Sequence, residues 1–154
     1  MKYCPVLLTL FLLGCSQNMP MPVVDFDQPG WQVWTGQALW QPPGDTPSVA
    51  GDILISLHES GDRFIELIKG PVAVFSAQTH SKFWWLKLID RGDAYSGKGK
   101  PPARFIWFYL PELVDQCDDK SVKHWQVEYP NAETLVLTNK LSGEKITLVM
   151  DQAI

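Results

Sequence analysis

Phe64-Ile-Glu-Leu-Ile68, Val72-Ala-Val-Phe-Ser-Ala77 and Lys82-Phe-Trp-Trp-Leu-Lys-Leu-Ile89 are the stretches that decide the fold. Each is five to eight residues long and rich in β-branched or aromatic side chains. Turn formers stop them: Lys69-Gly70-Pro71 between the first two, Gln78-Thr-His-Ser81 between the last two. Such length and composition read as strands. Their patterning is not a simple alternation. Ile65 and Leu67 oppose Phe64 and Ile68, while Trp84, Leu86 and Leu88 oppose Phe83, Trp85 and Ile89. A sheet with one face in water alternates apolar with polar residues. Here both faces need cover. A short helix suits one; the other is either the core of a closed barrel or the wall of an apolar cavity.

Upstream, Ile53-Leu-Ile-Ser-Leu57 reads as the partner of Phe64–Ile68 in a hairpin across His58-Glu-Ser-Gly-Asp62. Trp31 to Trp40 reads as a further strand, stopped by Gln41-Pro-Pro-Gly-Asp-Thr-Pro47. Downstream, Asp90-Arg-Gly-Asp93 turns into a short extended piece, Ala94-Tyr-Ser96, and Gly97-Lys-Gly-Lys-Pro-Pro102 is a loop. Ile106, Tyr109, Leu110, Leu113 and Val114 then fall at helical spacing. Pro111 forbids one unbroken helix there and predicts a short helix on one or both sides, with the proline in the first turn of the second. His124 to Tyr129 alternates, with Trp125, Val127 and Tyr129 on one face. Glu133–Thr138 and Lys145–Met150 close the chain around Asn139–Gly143. The sum is roughly eight strands: a mainly β domain over 31–154, with a strongly curved antiparallel sheet or incomplete β-barrel and one or two short helices.

The N-terminus has another character. Lys2 is the only charge before Asp25, and Val6 to Leu13 is an apolar run of eight residues. Spanning a bilayer takes roughly 20 apolar residues, so this run has the length of a signal-peptide core instead. It ends Leu12-Leu13-Gly14-Cys15, which resembles the lipobox of bacterial lipoproteins. That resemblance implies cleavage of residues 1–14, a diacylglyceryl group on the Cys15 sulfur and an N-acyl chain, hence a membrane anchor. With Ser16 rather than Asp next, the same resemblance implies the outer membrane, facing the periplasm. Residues 15–30 read as an acylated, Pro-rich tether (Pro20, Pro22, Pro29), able to reach roughly 50 Å when extended.

From Cys15 onward the chain has 12 basic and 17 acidic side chains, net −5, and no basic run, which excludes nucleic acid as a partner class. Once Cys4 is removed and Cys15 acylated, Cys117 has no partner for a disulfide. Catalytic motifs are missing: no Gly-x-Ser-x-Gly, His-Glu-x-x-His or phosphate loop occurs. His58, His80 and His124 lack ligand spacing and read as solvated. Asp115, Asp118 and Asp119 lack the glycine and distal glutamate of a calcium loop, and these acids raise rather than activate the Cys117 thiol. The reading is therefore no enzyme, no metal and no cofactor beyond the covalent lipid. Lys98, Lys100 and Arg104 read as a solvated loop, or as contacts to lipid phosphates.

The order of features also resembles a known family. After the lipobox come Trp31 to Trp40, Phe64-Ile-Glu-Leu-Ile-Lys-Gly-Pro71, Val72-Ala-Val-Phe75, Tyr95-Ser-Gly97, Leu110-Pro-Glu-Leu113, Trp125-Gln-Val-Glu-Tyr129 and two closing strands. This resembles the LolB-like branch of the LolA/LolB superfamily, the carriers and receptors of outer-membrane lipoproteins. The resemblance implies an unclosed antiparallel barrel whose apolar interior, lidded by helices, holds acyl chains. It also implies a protruding apolar loop after Pro71, at Val72 or Val74. Parity and the double-face argument select Trp34, Ile65, Leu67, Phe75, Trp84, Leu86, Leu88 and Trp107 as acyl-cavity residues. The expected partners are the membrane, lipoprotein acyl chains and a periplasmic carrier. The alternative is a structural or protein-binding envelope lipoprotein with a filled core, and for any single tryptophan the core reading stands beside the cavity one.

Overall fold

A computed structural model describes residues 20–115 and 122–152. The signal segment, Cys15, Cys117, Asp118 and Asp119 lie outside the described residues. Nine strands form one antiparallel sheet: β1 Trp31–Gln41, β2 Val49–His58, β3 Arg63–Lys69, β4 Val72–His80, β5 Phe83–Leu88, β6 Asp93–Lys98, β7 Trp125–Asn131, β8 Thr134–Asn139 and β9 Lys145–Met150. Their order across the sheet is β6-β5-β4-β3-β2-β1-β9-β8-β7. The sheet is mainly antiparallel meander and is not closed, since β6 and β7 are its two margins. The expected short piece at Ala94–Ser96 is a full strand, paired residue for residue with β5 from Phe83↔Lys98 to Leu88↔Asp93.

This strand order has a geometric consequence. The chain leaves β6 at one margin and must re-enter at β7, on the other. The connection crosses the concave face and carries a 3-10 turn, Ile106–Tyr109, followed directly by helix α1, Leu110–Asp115. Pro111 is the second residue of α1, where its missing N–H costs no helical bond. Ile106, Trp107, Phe108, Leu110, Leu113 and Val114 are all buried in the core cluster.

Registers put one residue set on that concave face. Trp34 pairs with Ile55, Ile55 with Ile65, Ile65 with Ala77 and Ala77 with Leu86. In the second meander Trp125, Leu135, Leu137, Ile146, Leu148 and Met150 complete the same core. Asn139, the buried polar residue at its rim, turns its carboxamide oxygen onto the backbone N–H groups of Leu141 and Ser142 and so shapes the β8–β9 turn.

The opposite face of β2–β5 is covered too, by a part of the chain that the sequence reads as tether. Residues 20–30 run across it. Pro20 and Met21 lie beside Trp85 and Ser96, Pro22 to Val24 beside Gln78 and His80, and Phe26 meets Phe64 at 5.5 Å between ring centroids. At the end of this strap Trp31 donates its indole N–H to the Asp25 carbonyl, and a His58 ring nitrogen lies 3.1 Å from the Pro29 carbonyl. Trp85, Ser56, Ser76 and Gln78 are accordingly buried on the outer face. The double-apolar pattern of β3–β5 thus has two covers, the crossing segment inside and the strap outside.

Candidate functional site

The concave face and its cover make up the site. All eight sequence-selected residues meet there. Ile65, Leu67, Phe75, Trp84, Leu86 and Trp107 are buried in one cluster, with Trp34 and Leu88 half-buried against it. Seven come from the sheet, and Trp107 comes from the crossing segment. The Trp107 indole stands perpendicular to Trp40, with centroids 5.5 Å apart. Phe108 reaches Trp84 edge-on at 5.8 Å. Aromatic pairs in such tilted geometries add to the burial of their large surfaces. Trp40 carries its own polar tie, donating its indole N–H to Glu144 at 2.8 Å. Burial pushes the Glu144 carboxyl above the usual carboxylate range, and the Trp40 hydrogen bond pulls it the other way.

Polar contacts hold the crossing segment, Ile106–Asp115, mostly from its flanks. The Tyr109 hydroxyl donates to the Pro101 carbonyl at 2.6 Å, and Tyr129 of β7 donates to the Leu113 carbonyl at 2.9 Å. Trp125 donates its indole N–H to the Ala103 carbonyl. Among the described residues, the ion pair of Arg63 of β3 with Glu112 of α1 ties this lid to the sheet through charged side chains. That pair is incomplete, because Arg63 Nε and Glu112 Oε2 are buried without hydrogen-bond partners among the described residues. Burial raises the Tyr109 phenol, Arg63 lowers it and Glu112 raises it further.

Other sequence readings find their places. Val72 stands out after Pro71, at 57 % exposure, whereas Val74 is buried. A register shift at Leu67/Ile68 separates the two environments. His58 and His80 are the last residues of β2 and β4 rather than turn residues. Both are held by neighbours: His58 Nδ1 is 2.8 Å from the Ser60 hydroxyl, and His80 Nδ1 is 3.0 Å from the Asp62 carboxylate. Among the described residues no group of three or more His, Cys, Asp or Glu could hold a metal ion, and no helix is long and apolar enough to cross a membrane. Sequence reasoning missed the strap. Its usable signal was Val24 and Phe26, apolar residues among the prolines and acids. No family model and no curated protein matches the chain.

Proposed function

We propose that this chain is a lipid-anchored, non-enzymatic protein at the periplasmic face of the outer membrane, and that its concave face takes an acyl chain in exchange for the lid. The anchor is the lipid on Cys15. The cargo is a free acyl chain or that of a lipoprotein being received. One observation carries the reading: an open sheet presents a continuous apolar concave face under one short segment, Ile106–Asp115, whose ion pair to the sheet, Arg63–Glu112, is partly open to solvent. A partly exposed ion pair of this kind contributes little to stability and does not lock the segment in place. The apolar balance is close. An acyl chain of about sixteen carbons offers on the order of 11 kcal/mol at ~0.8 per methylene. Re-exposing Ile106, Trp107, Phe108, Leu110, Leu113 and Val114 costs about 1.5–3 kcal/mol each, on the order of 9–18 kcal/mol together. A ligand that matches the lid in apolar surface is one that can replace it.

A second reading has its own support. Phe75, Ile65, Leu67 and Phe108 are wholly inaccessible, and the aromatic rings interlock. Such a filled interior suits a structural or protein-binding envelope lipoprotein. Binding of a fluorescent fatty acid to residues 16–154, followed alongside thermal unfolding, separates the two. The carrier requires saturable binding by the wild type and its loss in a folded Leu86→Glu protein. No binding by the wild type, with an unfolded Leu86→Glu protein, leaves the structural reading. The anchor is checked apart from both: Cys15→Ala abolishes acylation and frees the exported protein from the membrane fraction, and acyl-dependent membrane retention of that variant overturns the lipobox reading.

A further inference from the structure

Charge along this chain is strongly polarised. Of the residues from Cys15 onward, the segment 82–104 carries six of the 12 basic side chains and only two of the 17 acidic ones. It is therefore net +4, and everything else is net −9. The fold gathers this segment into the β5–β6 margin and the loop that leaves it. Lys82, Lys87, Arg91, Lys98, Lys100 and Arg104 are all exposed. Apart from a long 3.9 Å contact between Arg91 and Asp90, none of them forms an ion pair among the described residues. Two are braced over rings: the Lys100 ammonium 5.5 Å from the Tyr109 centroid and the Arg104 guanidinium 4.6 Å from that of Phe105. Tyr95 and Ile89, each more than a third exposed, give the same margin apolar and amphipathic contacts.

The strap brings the N-terminus to the same place. Pro20 and Met21 lie against Trp85, Lys87, Ala94 and Ser96 of β5 and β6. Only five residue steps separate Pro20 from Cys15, at most about 18 Å of chain. An anchor that short does not let the domain stand far from the bilayer, and it enters beside the basic margin. We infer that the β5–β6 margin is a docking surface for the anionic lipid headgroups around the protein's own anchor, with β6 lying along the membrane surface. The acidic remainder is turned away by the same field, so charge fixes orientation as well as proximity. This inference rests on the acylation of Cys15 proposed above.

Hydrogen exchange on the acylated protein tests it. The protein is reconstituted on vesicles of phosphatidylcholine alone and on vesicles with about one third phosphatidylglycerol. Flotation with both vesicle types checks the anchor first. Peptides covering 91–104 are expected to exchange at least about three-fold more slowly on the anionic vesicles, because β6 is an unpaired sheet edge otherwise open to water. Peptides covering 41–52 should not change. The triple variant Lys98→Gln, Lys100→Gln, Arg104→Gln should float equally well and lose the difference, as should the wild type in high salt. Equal exchange on both vesicles, or undiminished slowing in the variant, overturns the inference and leaves the anchor standing. Slowing by soluble polyglutamate but not by anionic vesicles overturns it in favour of an acidic protein partner. A protein that floats with neither vesicle overturns both the anchor and the docking surface.

Discussion

The Trp107 ring lies 4.2 Å from Phe75, centroid to centroid, inclined at 43°. One residue belongs to the segment that crosses the sheet, the other to β4 near its centre. Through this contact the crossing connection becomes part of the core rather than a loop above it. Truncation of Trp107 to alanine is expected to destabilise the domain by about 3–5 kcal/mol, the usual cost of deleting a large buried aromatic. Urea unfolding followed by Phe and remaining Trp fluorescence gives the value. A loss below about 1 kcal/mol would mean that the segment contributes little to the core.

Glu144 supplies a pH dependence. Its folded-state carboxyl titrates above the usual range because burial disfavours the charge. For an acid shifted this way, the folded state holds the proton more tightly than the unfolded state. The corresponding stability is fully present below the ordinary carboxylate pKa and is lost as pH rises through the raised folded value. Glu144→Gln keeps an oxygen for the Trp40 indole N–H and removes the charge. Thermal unfolding should show this variant more stable than wild type at pH 7, with the gap narrowing as pH falls to 4. A gap that widens on acidification would contradict the assignment.

Gly97 faces Trp84 across β5 and β6. A β-carbon at Gly97 would come within 2.6 Å of the Trp84 ring, so the glycine is the floor on which the indole lies. Gly97→Val must move that indole, which also contacts Phe105 and Phe108. Overpacking of this kind typically costs about 1–3 kcal/mol. Near-ultraviolet circular dichroism should change along with the unfolding midpoint. An unperturbed spectrum would show that the ring shifts freely.

Phe26 fixes the strap. Its ring sits 5.3 Å from Trp31 and 5.5 Å from Phe64. Phe26→Ala should cost about 0.5–2 kcal/mol, since the ring is partly exposed and aromatic pairs add a modest increment. A sharper effect is expected in limited proteolysis, where cleavage between residues 20 and 30 should accelerate well beyond cleavage elsewhere. Equal acceleration throughout the chain would argue that the strap has no independent hold.

The fold was legible wherever local pattern and burial agreed. Lys145–Met150 alternates, and it is β9 as read. Trp125, Val127 and Tyr129 share a face as their parity requires. Pro111 divides the crossing segment, and the break between the 3-10 turn and α1 comes just before it. Strand lengths were less legible. β2 begins at Val49 rather than Ile53 because Gly51 and Asp52 complete the ladder with β1 and β3, although neither has the residue type of a strand. The eight selected side chains do converge on one face, because period-2 alternation carries face information along a strand. How that face is covered was not legible, since it depends on strand order across the whole sheet. The strap was hidden for a related reason: Phe26 has no periodic neighbours, and its partners Phe64 and Trp31 are supplied by the finished sheet.

The strap also sets an order in time. Its contacts beyond the neighbouring Trp31, from His58 to Ser96, are all made later in the chain than the strap itself. A segment made before β2 to β6 therefore has no sheet face to dock on until those strands have emerged and paired. Through that interval residues 20–30 lack their partners, and they are drawn in only as the sheet completes. Docking of residues 20–30 is thus a late event in the folding of the domain, contingent on the sheet that the strap covers.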